Sequence, residues 1–367
     1  MKSTFPTRWR WFPQGLAAAI RPCGAAHGGP RWAWPHEIGL VALVFATTAA
    51  LPSVALAQAA PAAPAPETLQ LQTGDGVQLQ AVYYPVAGKA APGPAPAPPL
   101  PSPAAPIVIL LHDLGGSHES VSTLATGLQR RGIAVVAPDL RGHGGSTTRT
   151  TAVASATLDA RSLKRADLEA MGQSRGGRVR QQATTQGDVE ATREWIKGMA
   201  DRGTLDMKRL FVVGSGVGAA VAAVWTVEDA AWPDIASGPQ GREVRGLVMI
   251  SPVWTSRGFT MAPALAADAV RRALPILVIA GEREKDALRV FEQLRRARPA
   301  EWFEKRATEA APTPNPKKDP NTPATLFLLE LATTAQGDAL AAAPPGPAGD
   351  VAALVAGFIT TVAPAGG

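Results

Sequence analysis

Thiol and imidazole chemistry have little to work with in this sequence. Its 367 residues contain one cysteine, Cys23, and five histidines: His27, His36, His112, His118 and His143. A lone cysteine gives no disulfide within the chain and no C-x-x-C redox or metal site, so the fold must hold by burying apolar surface. The histidines show neither H-x-x-x-H nor H-E-x-x-H spacing, and no metal or other cofactor is expected. Past residue 143 there is no imidazole at all. Aromatic residues are also scarce, at 5%, and the basic stretch at 174–180 has none on which a nucleic-acid base could stack.

An excess of one charge sign is missing too, once its location is considered. The formal charge is +6, but residues 1–57 carry Lys2, Arg8, Arg10, Arg21 and Arg31 against Glu37. The remaining 31 basic and 29 acidic side chains nearly balance. No electrostatic footprint for nucleic acid remains. Residues 174–180, with three arginines among glycines, are too short a basic stretch to change this.

What is abundant is apolar residues (46%), Gly (36) and Pro (34). An apolar run over 38–50, followed by Leu51-Pro52-Ser53-Val54-Ala55-Leu56-Ala57, ends in a small-x-small pattern before Gln58. Residues 1–57 therefore read as a secretory leader cleaved after Ala57, giving an exported, periplasmic or secreted protein. Pro52 interrupts the run short of a membrane span; a retained N-terminal anchor and an internal start codon are the alternatives. Residues 58–67 read as an Ala/Pro linker, 87–106 as a disordered Pro/Ala loop and 363–367 as a tail. Between them, alternating segments at 68–72 and 77–84 flank Gly74-Asp75-Gly76, the signature of a hairpin.

From residue 107 onward, apolar runs at 107–111, 133–137, 210–213, 247–250, 276–280 and 326–331 are separated mostly by amphipathic helical patterns. This order predicts an α/β domain over 68–362: a mostly parallel twisted sheet, helices on both faces, and the hairpin as an antiparallel edge. Residues 147–186 read as a lid-like insertion.

Several strand ends carry motifs: Leu110-Leu111-His112-Asp113-Leu114-Gly115-Gly116-Ser117, then Pro138-Asp139-Leu140-Arg141-Gly142-His143-Gly144-Gly145-Ser146, then Phe211-Val212-Val213-Gly214-Ser215-Gly216-Val217-Gly218-Ala219. In order and spacing they resemble the α/β-hydrolase fold superfamily, in its esterase or dienelactone-hydrolase-like branch. The resemblance implies that the first motif is the family's His-Gly-x-Gly-Gly oxyanion loop and the third its nucleophile elbow. It implies ester or amide hydrolysis by a nucleophile, an acid and a His in that chain order.

The reactive positions depart from the pattern. Aligning both elbow glycines gives Gly214-Ser215-Gly216-Val217-Gly218, with Gly216 where the nucleophile belongs. Making Ser215 central would put Val213 and Val217 at positions that need small residues. Gln336, in the segment Ala335-Gln336-Gly337-Asp338, stands at the His position and cannot shuttle a proton near neutral pH. Glu284 fits the acid position, with Asp286 as a neighbour, although a solvated charge run over 282–286 that caps the following helix is the plainer reading of both. Loss of a triad member typically costs as much as loss of the whole, on the order of 10⁶-fold.

The expectation is thus an exported hydrolase-fold protein without Ser-His-acid catalysis, binding a small molecule, or a protein at the lid. Asp113, Leu114, Val217 and Trp254 are its expected pocket and oxyanion-loop residues. The alternative is an ester hydrolase working through Ser215, or through His112 and an activated water. A cell-envelope structural domain is a third reading. Asp139 and His143 read as turn-organising residues and the string Gly214–Gly218 lacks the G-x-G-x-x-G of a dinucleotide loop.

Overall fold

The computed structural model describes residues 63–86, 105–174, 186–234, 241–346 and 349–363. The leader, most of the linker, the interior of the Pro/Ala loop and the basic stretch after Ser174 lie outside the described residues.

The first described strands are β1 (Glu67–Gln72) and β2 (Val77–Tyr84), paired antiparallel with Glu67 opposite Tyr83. Next come β3 (Ala105–Leu111), a 3₁₀ turn (His118–Val121), α1 (Ser122–Gln129) and β4 (Ala134–Pro138). The insertion supplies β5 (Thr148–Thr150), β6 (Ser155–Thr157) and α2 (Arg165–Met171). It is followed by α3 (Asp188–Asp201), β7 (Leu205–Ser215), α4 (Val217–Ala230) and β8 (Val244–Ile250). A two-strand ribbon, β9 (Thr255–Ser256) and β10 (Phe259–Thr260), leads to α5 (Ala262–Ala266) and β11 (Ile276–Ala280). The chain closes with α6 (Lys285–Arg295), β12 (Trp302–Lys305), β13 (Leu326–Glu330), α7 (Gly337–Ala341) and α8 (Val351–Val362).

The main sheet runs β12-β13-β11-β8-β7-β3-β4-β2-β5-β6, with β1 on β2. From β12 to β4 every pairing is parallel; β2 joins β4 antiparallel. Central strands buried on both faces need apolar residues at every position, which is why these segments are continuous rather than alternating. Their side chains divide by the period of two. Ile107, Ile109, Leu111, Val212 and Met249 pack on one face with Val189, Ile196 and Trp225 of α3 and α4. Val108, Leu110, Val213, Val248 and Leu277 pack on the other with Leu124 of α1 and Phe358 of α8.

Two strand groups were not apparent in the sequence pattern. β12 is short, ends in Glu304-Lys305 and sits at the sheet edge, where continuous apolarity is not required. In the insertion, β5 pairs with β2 at Val77 and Gln78, so β5 and β6 extend the sheet. Its later part turns inward: Leu163, Leu168 and Met171 are buried in the main core. Among the described residues no helix is long and apolar enough to cross a membrane.

Candidate functional site

The parallel strands all deliver their C-terminal ends to one side, where α/β proteins place their sites. His112, Asp139, Gly216, Ser251 and Gly281 each follow directly after a strand. The loop after β4 is held by its own side chains. Asp139 Oδ1 accepts from the His118 amide (2.7 Å) and contacts the His118 ring (2.8 Å), while Oδ2 accepts from Gly145 N (2.8 Å). His143 Nε2 accepts from Gly115 N (2.9 Å), leaving Nδ1 to donate to Arg141 O (3.0 Å). His112 does the same in mirror fashion: Nε2 accepts from Leu140 N (3.0 Å) and Nδ1 donates to Asp113 O (2.7 Å). Both imidazoles are thereby fixed as neutral tautomers that tie the loops after β3 and β4 together. Burial pushes His112 down to about 4.

Arg141, fully buried, anchors the same loop from beneath. Its guanidinium spans Asp188 at the start of α3 (2.7 Å) and Asp75 in the β1–β2 turn (2.9 Å).

At the end of β7 the chain makes a tight strand-to-helix turn. Gly216 has φ 53° and ψ −118°, with α4 starting at the next residue. Backbone of this kind favours glycine. The flanking glycines are required by close approach: a Cβ at Gly214 would lie 2.4 Å from Gly218 O, and one at Gly218 would lie 2.4 Å from His112 O. Ser215 points into the protein. It is 0% exposed and its Oγ has no hydrogen-bond partner among the described residues.

The space above Gly216 belongs to Asp113. A Cβ built on Gly216 would fall 1.9 Å from Asp113 Cγ and 2.1 Å from either carboxylate oxygen. Asp113 Oδ1 accepts from Leu114 N (2.7 Å) and from Val217 N (2.7 Å). These are an amide of the first motif's loop and the first amide of α4, a pair of donors suited to an anion. Asp113 N in turn donates to Asp338 Oδ1 (2.8 Å), and Ser120 Oγ donates to Asp338 Oδ2 (2.5 Å). Burial raises the Asp113 carboxyl above the usual carboxylate range; the two amides oppose this and the nearby Asp338 adds to it.

Gln336 is exposed at the start of α7, and the following Gly337 (φ 54°) brings its backbone against Asp113 Oδ2. The structure thus gathers Asp113, Leu114, Gly216, Val217, Gly337 and Asp338. It sends the two acid candidates to other partners. Glu284 Oε1 accepts from Gly281 N (2.6 Å) and Ser251 Oγ (2.9 Å), with burial raising its pKa. Asp286 accepts from Trp254 N (2.9 Å). The Trp254 ring is covered by the Arg289 guanidinium at 3.9 Å. Trp225 is buried and donates to Glu190 (3.0 Å), and Trp232 donates to Ser174 (2.5 Å). Two cavities open elsewhere on the described surface, one of about 590 Å³ beside Trp302 and Pro314 and one of about 380 Å³ beside Asp229 and Leu274. Among the described residues no group of three or more His, Cys, Asp or Glu could hold a metal ion.

Sequence reasoning placed Asp113 in the oxyanion loop but missed that its carboxylate takes up the loop's donors. The signal was present: a carboxylate stands at the first glycine of the His-Gly-x-Gly-Gly pattern, while Gly216 between the two flanking glycines has no side chain. Asp338 was missed altogether, because nothing in its local sequence points toward Asp113.

The structure is similar to esterases of the α/β-hydrolase fold. One of two fungal esterases from Rhizomucor miehei shares 13% identity over 81% of this chain and 82% of its own, with a TM-score of 0.50. A thermostable carboxylesterase from a metagenomic library shares 16% over 83% and 91%, with a TM-score of 0.46. An esterase of Pyrococcus furiosus shares 14% over 73% and 82%, with a TM-score of 0.43. No curated protein matches the chain in sequence. The profile of the family described as serine aminopeptidase, S33, matches residues 102–308, more than half of the chain. The fold, the order of its motifs and this match agree: the chain belongs to the S33 serine aminopeptidase family of α/β hydrolases.

Proposed function

We propose that this protein is a non-hydrolytic member of its family, exported through its N-terminal leader, that acts by binding a small molecule or a protein on the face around Leu114 and Trp254. The observation that carries the loss of hydrolysis is the elbow. Gly216 occupies the turn from which a nucleophile would project, with its flanking glycines on either side. Nucleophilic catalysis needs an attacking atom and a base within hydrogen-bond reach of it. Neither requirement is met by the candidates. Ser215 Oγ is buried without a partner among the described residues, and both His112 nitrogens are engaged by backbone groups. Gln336 provides no base. The binding half of the reading rests on the half-buried Leu114 and Trp254 beside the turn, and the export half on the leader pattern at 38–57.

The test is hydrolysis of p-nitrophenyl acetate and butyrate by the purified protein beside Ser215→Ala and His112→Asn. The expected result is release at the buffer rate for all three. Turnover by the wild type that either substitution abolishes would make this an enzyme with a non-standard site.

A further inference from the structure

The carboxylate of Asp113 is in a position that its own backbone does not require. The loop after β3 is already held by His112 to Leu140, by Gly115 to His143 and by Asp113 N to Asp338. Yet the side chain turns back, so that Oδ1 takes up both the Leu114 and the Val217 amides at 2.7 Å. Two donors converging on one oxygen, one of them at the N-terminus of a 14-residue helix, form a site for an anion. The room for it exists only because two neighbours lack side chains. A Cβ on Gly216 would overlap the carboxylate, and one on Gly337 would lie 2.6 Å from Oδ2.

We propose that Asp113 is a built-in ligand of this anion hole, closing its two amides against external carboxylate and acyl groups. The proposal rests on the non-hydrolytic reading above. It adds that the vacancy at Gly216 and the carboxylate at Asp113 are one exchange: a side chain removed from the elbow is matched by a side chain supplied from the facing loop. A tethered ligand competes at an effective concentration of about the millimolar range or higher, so free carboxylates at lower concentration cannot displace it. The ligand class the hole would take if emptied is a small monoanionic carboxylate, bound by the same two amides.

The experiment uses the full chain, with formate and trifluoroacetate as probes. Binding is read by ¹⁹F line broadening and by the Leu114 and Val217 amide signals. Asp113→Gly is expected to bind trifluoroacetate saturably, at least about tenfold tighter than the wild type, with formate shifting both amides together. Asp113→Asn keeps an oxygen that accepts from both amides and is expected to stay closed. A folded Asp113→Gly that binds no better than the wild type overturns the proposal, as does an Asp113→Asn that opens equally. Should Asp113→Gly not fold, the wild type decides alone. Its Leu114 and Val217 amides are expected to follow the titration of the Asp113 carboxyl carbon with a common midpoint, and unrelated midpoints overturn the proposal. Ester turnover abolished by Ser215→Ala would sink the non-hydrolytic reading whatever the anions do. A silent wild type with no gain in Asp113→Gly sinks only the built-in ligand.

Discussion

The loop after β4 and the turn after β7 lie side by side at the same end of the sheet, yet they have kept different things. The first retains side chains: Asp139, Arg141 and His143 each make several hydrogen bonds, and they pin the loop to the loop after β3, to α3 and to the β1–β2 turn. The second retains only backbone. Gly214, Gly216 and Gly218 preserve the path of the turn, and no reactive side chain projects from it. Side chains that hold loops in place are under the constraint of folding. A nucleophile contributes nothing to folding, and its strained turn costs roughly 1–3 kcal/mol, so it can be lost without loss of the fold.

The largest effect should come from the loop. Arg141→Ala leaves the Asp188 carboxylate buried without its guanidinium, and we expect a loss of about 3–5 kcal/mol in urea unfolding. A small change would mean that the loop is no more dependent on its side chains than the turn is.

A second effect concerns pH. His112 sits near 4 in the folded protein against an ordinary value of 6.5. The unfolded chain therefore takes up a proton first as pH falls. Stability from this group is present above about 6.5 and is lost as pH drops through about 4, on the order of 3 kcal/mol in all. His112→Asn should unfold with a flatter dependence over that window. An unchanged slope would contradict the structural role given to this imidazole.

The smallest effect is expected at Ser215. Its hydroxyl is buried and unpaired among the described residues, so Ser215→Ala should be neutral or stabilise by up to about 1 kcal/mol in thermal melts. A loss of more than that would show an interaction at the turn that its geometry does not contain.

Much of the fold could be read from the sequence, because fully buried strands write continuous apolar runs and the loop glycines fall at fixed offsets from them. The tight turn after β7 was legible for a similar reason: Gly214 and Gly218 fix the register, and Gly216 falls between them. Strands at and near the sheet edges were harder. β12, β5 and β6 lack the buried pattern and borrow their order from neighbours. The least legible feature was the filling of the site. Glu284 and Asp286 sit at plausible offsets for an acid; Glu284 Oε1 accepts from Gly281 and Ser251, and Asp286 Oδ2 from Trp254. Asp113 reaches across 104 residues of sequence to Val217, and Asp338 reaches across 225 to Asp113. Contacts that distant leave no periodic trace in a single sequence.

The measurement that bears most directly on the exchange between loop and elbow is a double-mutant cycle in urea unfolding with Asp113→Gly, Gly216→Ser and the pair together. Gly216→Ser alone should be strongly destabilising, because its Cβ meets the Asp113 carboxylate. In the pair that clash is gone, and the coupling between the two sites should reach about 1–3 kcal/mol. Additive losses, within about 0.5 kcal/mol, would show that the two positions are independent and that Asp113 does not stand in for the missing side chain.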